Sequence, residues 1–164
     1  MKTIHVLIGI PGCGKSTFAD KLSKQLNIEI VSTDRVRMEN IGILEEQVWP
    51  KVYQMLGEKL NNDEDVIFDA TNITPKVRKR LVDNVKVYCE EFNLIGYYFT
   101  VDWRLCMERV EKRNTDPNEH YLPTDVIEGY ASKIIEPTFE EGFIKINYIS
   151  YFINIKEHRF KILF

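Results

Sequence analysis

The sequence predicts an α/β domain, a parallel sheet with helices on both of its faces. Two observations carry this reading. Short apolar or β-branched runs alternate along the chain with stretches of helical periodicity, the pattern of repeated strand–helix–strand units joined by right-handed crossovers. The first run, residues 4–8, leads directly into Gly9-Ile10-Pro11-Gly12-Cys13-Gly14-Lys15-Ser16, which fits G-x-x-x-x-G-K-[ST]. An amphipathic helix then follows through Phe18, Leu22 and Leu26.

The remaining elements follow in order. Residues 28–31 read as a second strand ending in Ser32-Thr33-Asp34, and 35–42 as a short helix and turn. Val48, Val52, Leu56 and Leu60 recur at helical spacing, so 45–60 is a helix despite Pro50, closed by Asn61-Asn62-Asp63. Residues 66–69 form a strand that is apolar up to its acidic end, as buried parallel strands are. Thr74-Pro75 opens a helix whose apolar face is Val77, Leu81, Val82, Val85 and Tyr88. A strand over 94–101 is followed by Asp102 and a helix through Leu105, Met107 and Val110. Residues 109–123 are polar and charged and read as a lid. Thr124 starts a helix through Ile127, Tyr130 and Ile134 that Pro137 stops, and 143–149 is a fifth strand. The tail 151–164, rich in Ile and Phe, reads as one or two added strands, so that about 143–164 is a strand or hairpin whose partner stays open.

At 164 residues and 44% hydrophobic, the chain suits one domain with a real core. A net charge of −3 and a pI of 5.7 exclude a global basic field, so a nucleic-acid partner would need a local patch. Cys13, Cys89 and Cys106 form no C-x-x-C, which argues against disulfides and structural zinc and for a reducing, cytoplasmic setting. No signal peptide is expected, and no apolar run approaches the length that spans a bilayer, so no membrane partner is expected either.

In such a sheet the site lies beyond the carboxyl ends of the strands. That rule gathers 9–16, Asp34, 69–72 and Asp102 on one edge. Glycines let backbone N–H groups curl into an anion-binding nest at a helix N-terminus; Lys15 adds a charge for the outer phosphates, and the Ser16 hydroxyl can ligate Mg²⁺. Asp34 reads either as a general base for a substrate hydroxyl or as a helix N-cap. Asp69 reads either as a Mg²⁺ ligand with Ser16 or as a loop carboxylate, and Asp102 as an N-cap. Arg37, three residues after Asp34, suits a bidentate clamp on a substrate phosphate. Arg109 and Arg113 share a helical face and suit contacts with donor phosphates, or else a solvated face paired with Glu108 or Glu111. Lys76, Arg78, Lys79 and Arg80 form either a basic track for a polynucleotide or a solvated helix face. The three histidines carry no metal spacing and no role.

These residues resemble the 5′-hydroxyl polynucleotide kinase domain of the bacteriophage type, in the P-loop kinase superfamily, over roughly 1–149. The resemblance rests on Gly9 to Thr17 with its proline, on Asp34-Arg35-Val36-Arg37, and on Asp69-Ala70-Thr71-Asn72-Ile73-Thr74-Pro75. Arg109-Val110-Glu111-Lys112-Arg113-Asn114, Leu122-Pro123 and Glu140-Glu141-Gly142-Phe143 extend it. It implies a P-loop kinase-like single domain with a helical lid, using ATP or another nucleoside triphosphate with Mg²⁺ to phosphorylate 5′-hydroxyl DNA or RNA ends.

By resemblance, Asp34 is the base, and Lys15 and Arg113 stabilise the transferring group. Gly12, Cys13, Gly14, Lys15, Ser16, Thr17, Arg109 and Arg113 hold the nucleotide, and Ser16 and Asp69 the metal. Arg37 binds the acceptor's 3′-phosphate, with Arg35, Thr71 and Asn72 beside it and Leu122 against the acceptor base. The chain departs from the pattern at Ala70, where an aspartate is usual before the T-N pair, and at Asp116 and Glu119 in a lid that relatives make more basic. No D-x-D-x-T is present, so no phosphatase activity is expected. The alternative is a kinase of the same fold acting on a small metabolite, nucleoside or tRNA-linked hydroxyl, or, further off, a non-enzymatic nucleotide-binding module.

Overall fold

The computed structural model describes residues 1–119, 121–151 and 160–163. Its strands are β1 (Thr3–Ile8), β2 (Glu29–Ser32), β3 (Val66–Asp69), β4 (Asn93–Phe99), β5 (Phe143–Tyr151) and β6 (Phe160–Leu163). Its helices are α1 (Lys15–Leu26), α2 (Thr33–Glu39), α3 (Glu45–Asn61), α4 (Pro75–Val85), α5 (Trp103–Arg113) and α6 (Asp125–Lys133), with a 3₁₀ turn Phe139–Glu141 before β5. Of the tail, 152–159 and 164 lie outside the described residues.

Strand order is β2-β3-β1-β4-β5-β6. The first five strands are parallel, and β6 runs antiparallel to β5. This order positions the site. Chain leaving β1 passes through α1 to β2, on the far side of β3, whereas chain leaving β3 passes through α4 to β4, on the far side of β1. Neighbouring strands thus send their connections apart, which opens a crevice between their carboxyl ends.

Side chains of a strand alternate between faces, and β1 shows the consequence. Ile4, Val6 and Ile8 join a core with Val48, Val52, Leu56 and Leu60 of α3 and Leu81 and Val85 of α4. Leu7 joins the opposite core with Phe18 and Leu22 of α1, Cys106 and Val110 of α5 and Ile127 of α6. A central strand covered on both faces accounts for its uninterrupted burial.

Local chemistry sets the helix starts. Thr74 caps α4 by accepting from the Val77 N–H, with Pro75 in the first position, and Asp102 caps α5 through the Arg104 N–H. α2 begins earlier than the sequence suggests. Ser32, in extended conformation, takes the cap position and accepts from the Arg35 N–H, so Asp34 lies within the first turn rather than at the N-cap.

The inward face of α4 also needs correction. Its buried residues are Arg78, Leu81 and Val85, while Tyr88 lies beyond the helix end and is partly exposed. The expected lid, about 109–123, divides into the last turn of α5 and the connection to α6.

Gly57 lies midway along α3, where a Cβ would come within 2.3 Å of Tyr88 Cβ and 2.8 Å of its Cγ. In an isolated helix alanine would gain about 1 kcal/mol over glycine. Overpacking against the base of a side chain opposes that gain by about 1–3 kcal/mol. Gly57→Ala is therefore expected to lower the unfolding free energy in a denaturant titration, and an unchanged or raised value would contradict this packing.

Candidate active site

The donor loop is shaped by two left-handed glycines, Gly12 (φ 81°) and Gly14 (φ 94°). A Cβ on Gly12 would also meet the Cys106 carbonyl oxygen at 2.4 Å, so only glycine lets the loop lie against α5. Gly14 caps α1 with no side-chain hydrogen bond, which leaves the first-turn N–H groups directed at the loop. Lys15 is buried, and its Nζ donates to the Ile10 carbonyl at 2.8 Å with Cys13 Sγ at 3.7 Å. Cys13 is wholly buried and burial pushes its thiol up, so it serves the loop through its backbone. Thr17 is exposed in the first turn of α1.

Ser16 Oγ donates to Asp69 Oδ2 at 2.8 Å, joining the start of α1 to the end of β3. Asp69 is 8% exposed. Burial raises its carboxyl above the usual range, with the Lys15 charge and the Ser16 bond opposing. A hydroxyl and a carboxylate at hydrogen-bonding distance beside a phosphate loop form a hard-oxygen pair that fits Mg²⁺, which takes few protein ligands and completes its shell with water and substrate phosphate. No group of three or more His, Cys, Asp or Glu able to hold a metal occurs among the described residues.

From α5, Arg109 Nη1 donates to the Gly12 carbonyl at 3.4 Å. Arg113 follows one turn later on the same face. Its Nε is buried and has no hydrogen-bond partner among the described residues.

Beyond the carboxyl end of β2, Asp34 is exposed and its Oδ1 accepts from Arg37 Nη1 at 2.8 Å. Arg37 also forms a two-pronged pair with Glu45, Nε to Oε2 at 2.9 Å and Nη2 to Oε1 at 2.5 Å. That pairing raises the guanidinium and holds the Glu45 carboxyl below its ordinary value. Arg35, two residues before Arg37 and so on another helix face, bonds Asp20 of α1 at 3.0 Å. Its charge also acts on Asp69, in opposition to the burial of that carboxyl.

The reading of Asn72 is corrected. Its side chain is fully buried, with Nδ2 donating to the Leu7 carbonyl at 2.8 Å, so it anchors the backbone and does not face an acceptor. Thr71 is half-buried, and its carbonyl accepts from the Gly9 N–H at 3.0 Å. Leu122 packs in part on the apolar cluster of α1, α5 and α6. Asn114 holds Leu122 at both backbone groups, accepting from its N–H at 3.0 Å and donating to its carbonyl at 2.7 Å.

Sequence reasoning missed the group that braces Asn72. Arg78, read from sequence as part of a basic track or of a solvated helix face, is 2% exposed. Its Nε and Nη2 pair with Glu141 at 2.7 and 2.9 Å, and Nη1 donates to the carbonyls of Asn72 and Ile135 at 2.9 and 3.1 Å. Removing one partner of such a buried pair costs about 3–5 kcal/mol. Positions 78, 81 and 85 share one helical face, and that spacing was the available signal. Lys79 points outward and pairs with Asp83.

Comparison with known proteins fits this geometry. The family described as AAA domain matches residues 4–137. A shikimate kinase of Corynebacterium jeikeium (strain K411) is 28% identical over 93 residues, which cover 51% of this chain and 50% of that protein, so the match spans about half the length of that relative. Among solved structures, a fungal RNA kinase aligns with TM-score 0.72 and 18% identity over 96% of this chain and 40% of that one. A chain of the Pnkp1/Rnl/Hen1 RNA repair complex aligns with TM-score 0.70 and 24% identity, over 80% of this chain and 43% of that one. At these identities the likenesses establish the fold, that of the P-loop kinases.

Because Asp69 has its native pKa raised from 3.8, the folded state disfavours the ionised form. The wild type should therefore lose stability as pH rises through the raised value. Asp69→Asn is expected to raise the melting temperature of the metal-free protein at pH 7, with the gain vanishing below pH 3.8, and to weaken Mg²⁺-dependent nucleotide binding. A lowered melting temperature at pH 7, or unchanged Mg²⁺ dependence, would contradict this reading of the site.

Proposed function

The chain belongs to the AAA domain family, and we propose that it is an ATP- and Mg²⁺-dependent kinase that moves the γ-phosphate to the 5′-hydroxyl of a DNA or RNA end. The observation that carries this reading is the Asp34–Arg37 pair on α2, just beyond the carboxyl end of β2. A carboxylate and a guanidinium held 2.8 Å apart suit an acceptor that presents a hydroxyl beside a phosphate.

The residues divide the chemistry. Backbone N–H groups of 12–17 cradle the donor phosphates, Lys15 places its charge on the outer ones, and Arg109 and Arg113 approach from α5. Ser16 and Asp69 would hold Mg²⁺, which would supply positive charge to offset that of the donor phosphates. Arg37 grips the acceptor phosphate, and Thr71 lies beside it. Asp34 Oδ1 is engaged by Arg37, and Oδ2 accepts the proton of the 5′-hydroxyl as its oxygen bonds to the γ-phosphorus. The bond from that phosphorus to the bridging β-oxygen breaks, giving ADP and a 5′-phosphate, and Asp34 returns its proton to solvent.

A second reading, transfer to a small-metabolite hydroxyl, is favoured by the sequence likeness to a shikimate kinase and by the net charge of −3. Labelled ATP offered with a 5′-hydroxyl oligonucleotide, shikimate and free nucleosides separates the two. The first reading expects label on the oligonucleotide, and expects Asp34→Ala to lower turnover at least about 10²-fold while ADP affinity is kept. Label on a small acceptor alone supports the second reading, and full activity in Asp34→Ala removes the base assignment.

A further inference from the structure

We infer that Glu45 is a positioning residue: it orients Arg37 so that one fork of the guanidinium faces an incoming anion beside Asp34. The inference rests on the reading in which Arg37 receives an acceptor phosphate.

A guanidinium is planar, with four of its five N–H groups arranged as two forks, one on the Nε/Nη2 edge and one on the Nη1/Nη2 edge. Glu45 occupies the first fork with both of its oxygens, at 2.9 and 2.5 Å. The second fork then faces the side where Nη1 already meets Asp34 Oδ1 at 2.8 Å. A phosphate taken up there lies next to the carboxylate that accepts the hydroxyl proton, which is the juxtaposition the reaction requires. Glu45 also competes for the arginine. Without it, the flexible stem of Arg37 lets a whole fork turn onto Asp34, and the base becomes its main partner.

The surrounding chain fixes this arrangement. Glu45 is the first residue of α3, where a carboxylate interacts favourably with the helix dipole. The turn between α2 and α3 is held by hydrogen bonds from the Asn40 side chain to the Val36 carbonyl and from the Ile43 N–H to the Asn40 carbonyl. Arg37 is about one-third exposed and Glu45 two-thirds exposed, so the pair contributes little to stability. Its effect belongs in orientation.

The test compares wild type, Glu45→Gln and Glu46→Gln, the last removing the same charge one residue along. The amide of Glu45→Gln turns a donor toward Arg37 and loses one acceptor. Acceptors are a nucleoside 3′-monophosphate and the same nucleoside without phosphate. Glu45→Gln should raise KM for the phosphate-bearing acceptor about tenfold and erase much of its advantage over the nucleoside, with KM for ATP and the melting temperature unchanged. Glu46→Gln should match wild type. Equal loss on both acceptors, or no loss, overturns the inference.

A second readout is independent of turnover. The Arg37 Nε–H signal in ¹⁵N NMR, assigned by its absence in Arg37→Lys, should exchange slowly in wild type and Glu46→Gln and quickly in Glu45→Gln. If that pattern holds but neither acceptor is phosphorylated, the proposed function fails while the orienting role stands. If the signal exchanges quickly in wild type or stays protected in Glu45→Gln, the inference is overturned whatever the kinetics.

Discussion

Two hydrogen bonds tie the glycine-rich loop after β1 to the segment leaving β3, and much of the site geometry depends on them. The Gly9 N–H reaches the Thr71 carbonyl at 3.0 Å, and the buried Asn72 amide reaches the Leu7 carbonyl at 2.8 Å. Both bind the end of β1, where the phosphate loop begins, to the segment leaving β3. Buried polar groups left unpaired cost about 1–3 kcal/mol each, so this junction resists opening. Asn72 has a left-handed backbone (φ 47°), a conformation asparagine tolerates better than most residues. From the other side Arg78 holds the Asn72 carbonyl and pairs with Glu141, which itself accepts from the Thr138 N–H at 3.0 Å. The phosphate loop, the β3–α4 connection and the stretch between α6 and β5 are thereby braced as one unit.

Charge is distributed over this frame in two groups. Lys15, Ser16 and Asp69 converge beside the glycine-rich loop, with the Asp69 carboxyl raised by burial and the lysine offsetting it. Asp34, Arg37 and Glu45 form the other group: Asp34 in the first turn of α2 and Glu45 at the start of α3 are exposed, and Arg37 in the last turn of α2 is one-third exposed. Lys15 and Asp69 are buried and held by hydrogen bonds while Ser16 stays exposed, so the charges of this group are pre-set. The second group is largely open to solvent. An overall charge of −3 is compatible with both, because the cations that matter are placed locally.

The parts legible in the sequence are those written by contiguous residues or by a period. The strand–helix alternation gave the layered sheet, and the phosphate loop declared its residues because one loop supplies them all. Contacts between distant segments left weaker marks. Arg78 lies on the apolar stripe of α4 with Leu81 and Val85, but a cation among basic neighbours reads as surface until Glu141, 63 residues later, is seen to meet it. Asn72 is polar by type, and only the packing of β3 against β1 turns it inward. Ser32 and Asp34 are both good caps, so a backbone dihedral rather than residue type chose between them. Glu45 reaches Arg37 through the turn at 40–44, whose geometry follows no period.

If the junction between the two loops organises the site, the Gly9 amide should report it. Hydrogen exchange at Gly9, measured in wild type and in Asn72→Ala with ADP titrated into each, tests this most directly. The account predicts that Gly9 exchanges as slowly as the core of β1 in wild type and like an open loop in the variant, with ADP affinity falling alongside. Protection retained at Gly9 in Asn72→Ala, with ADP bound as tightly as before, would contradict it.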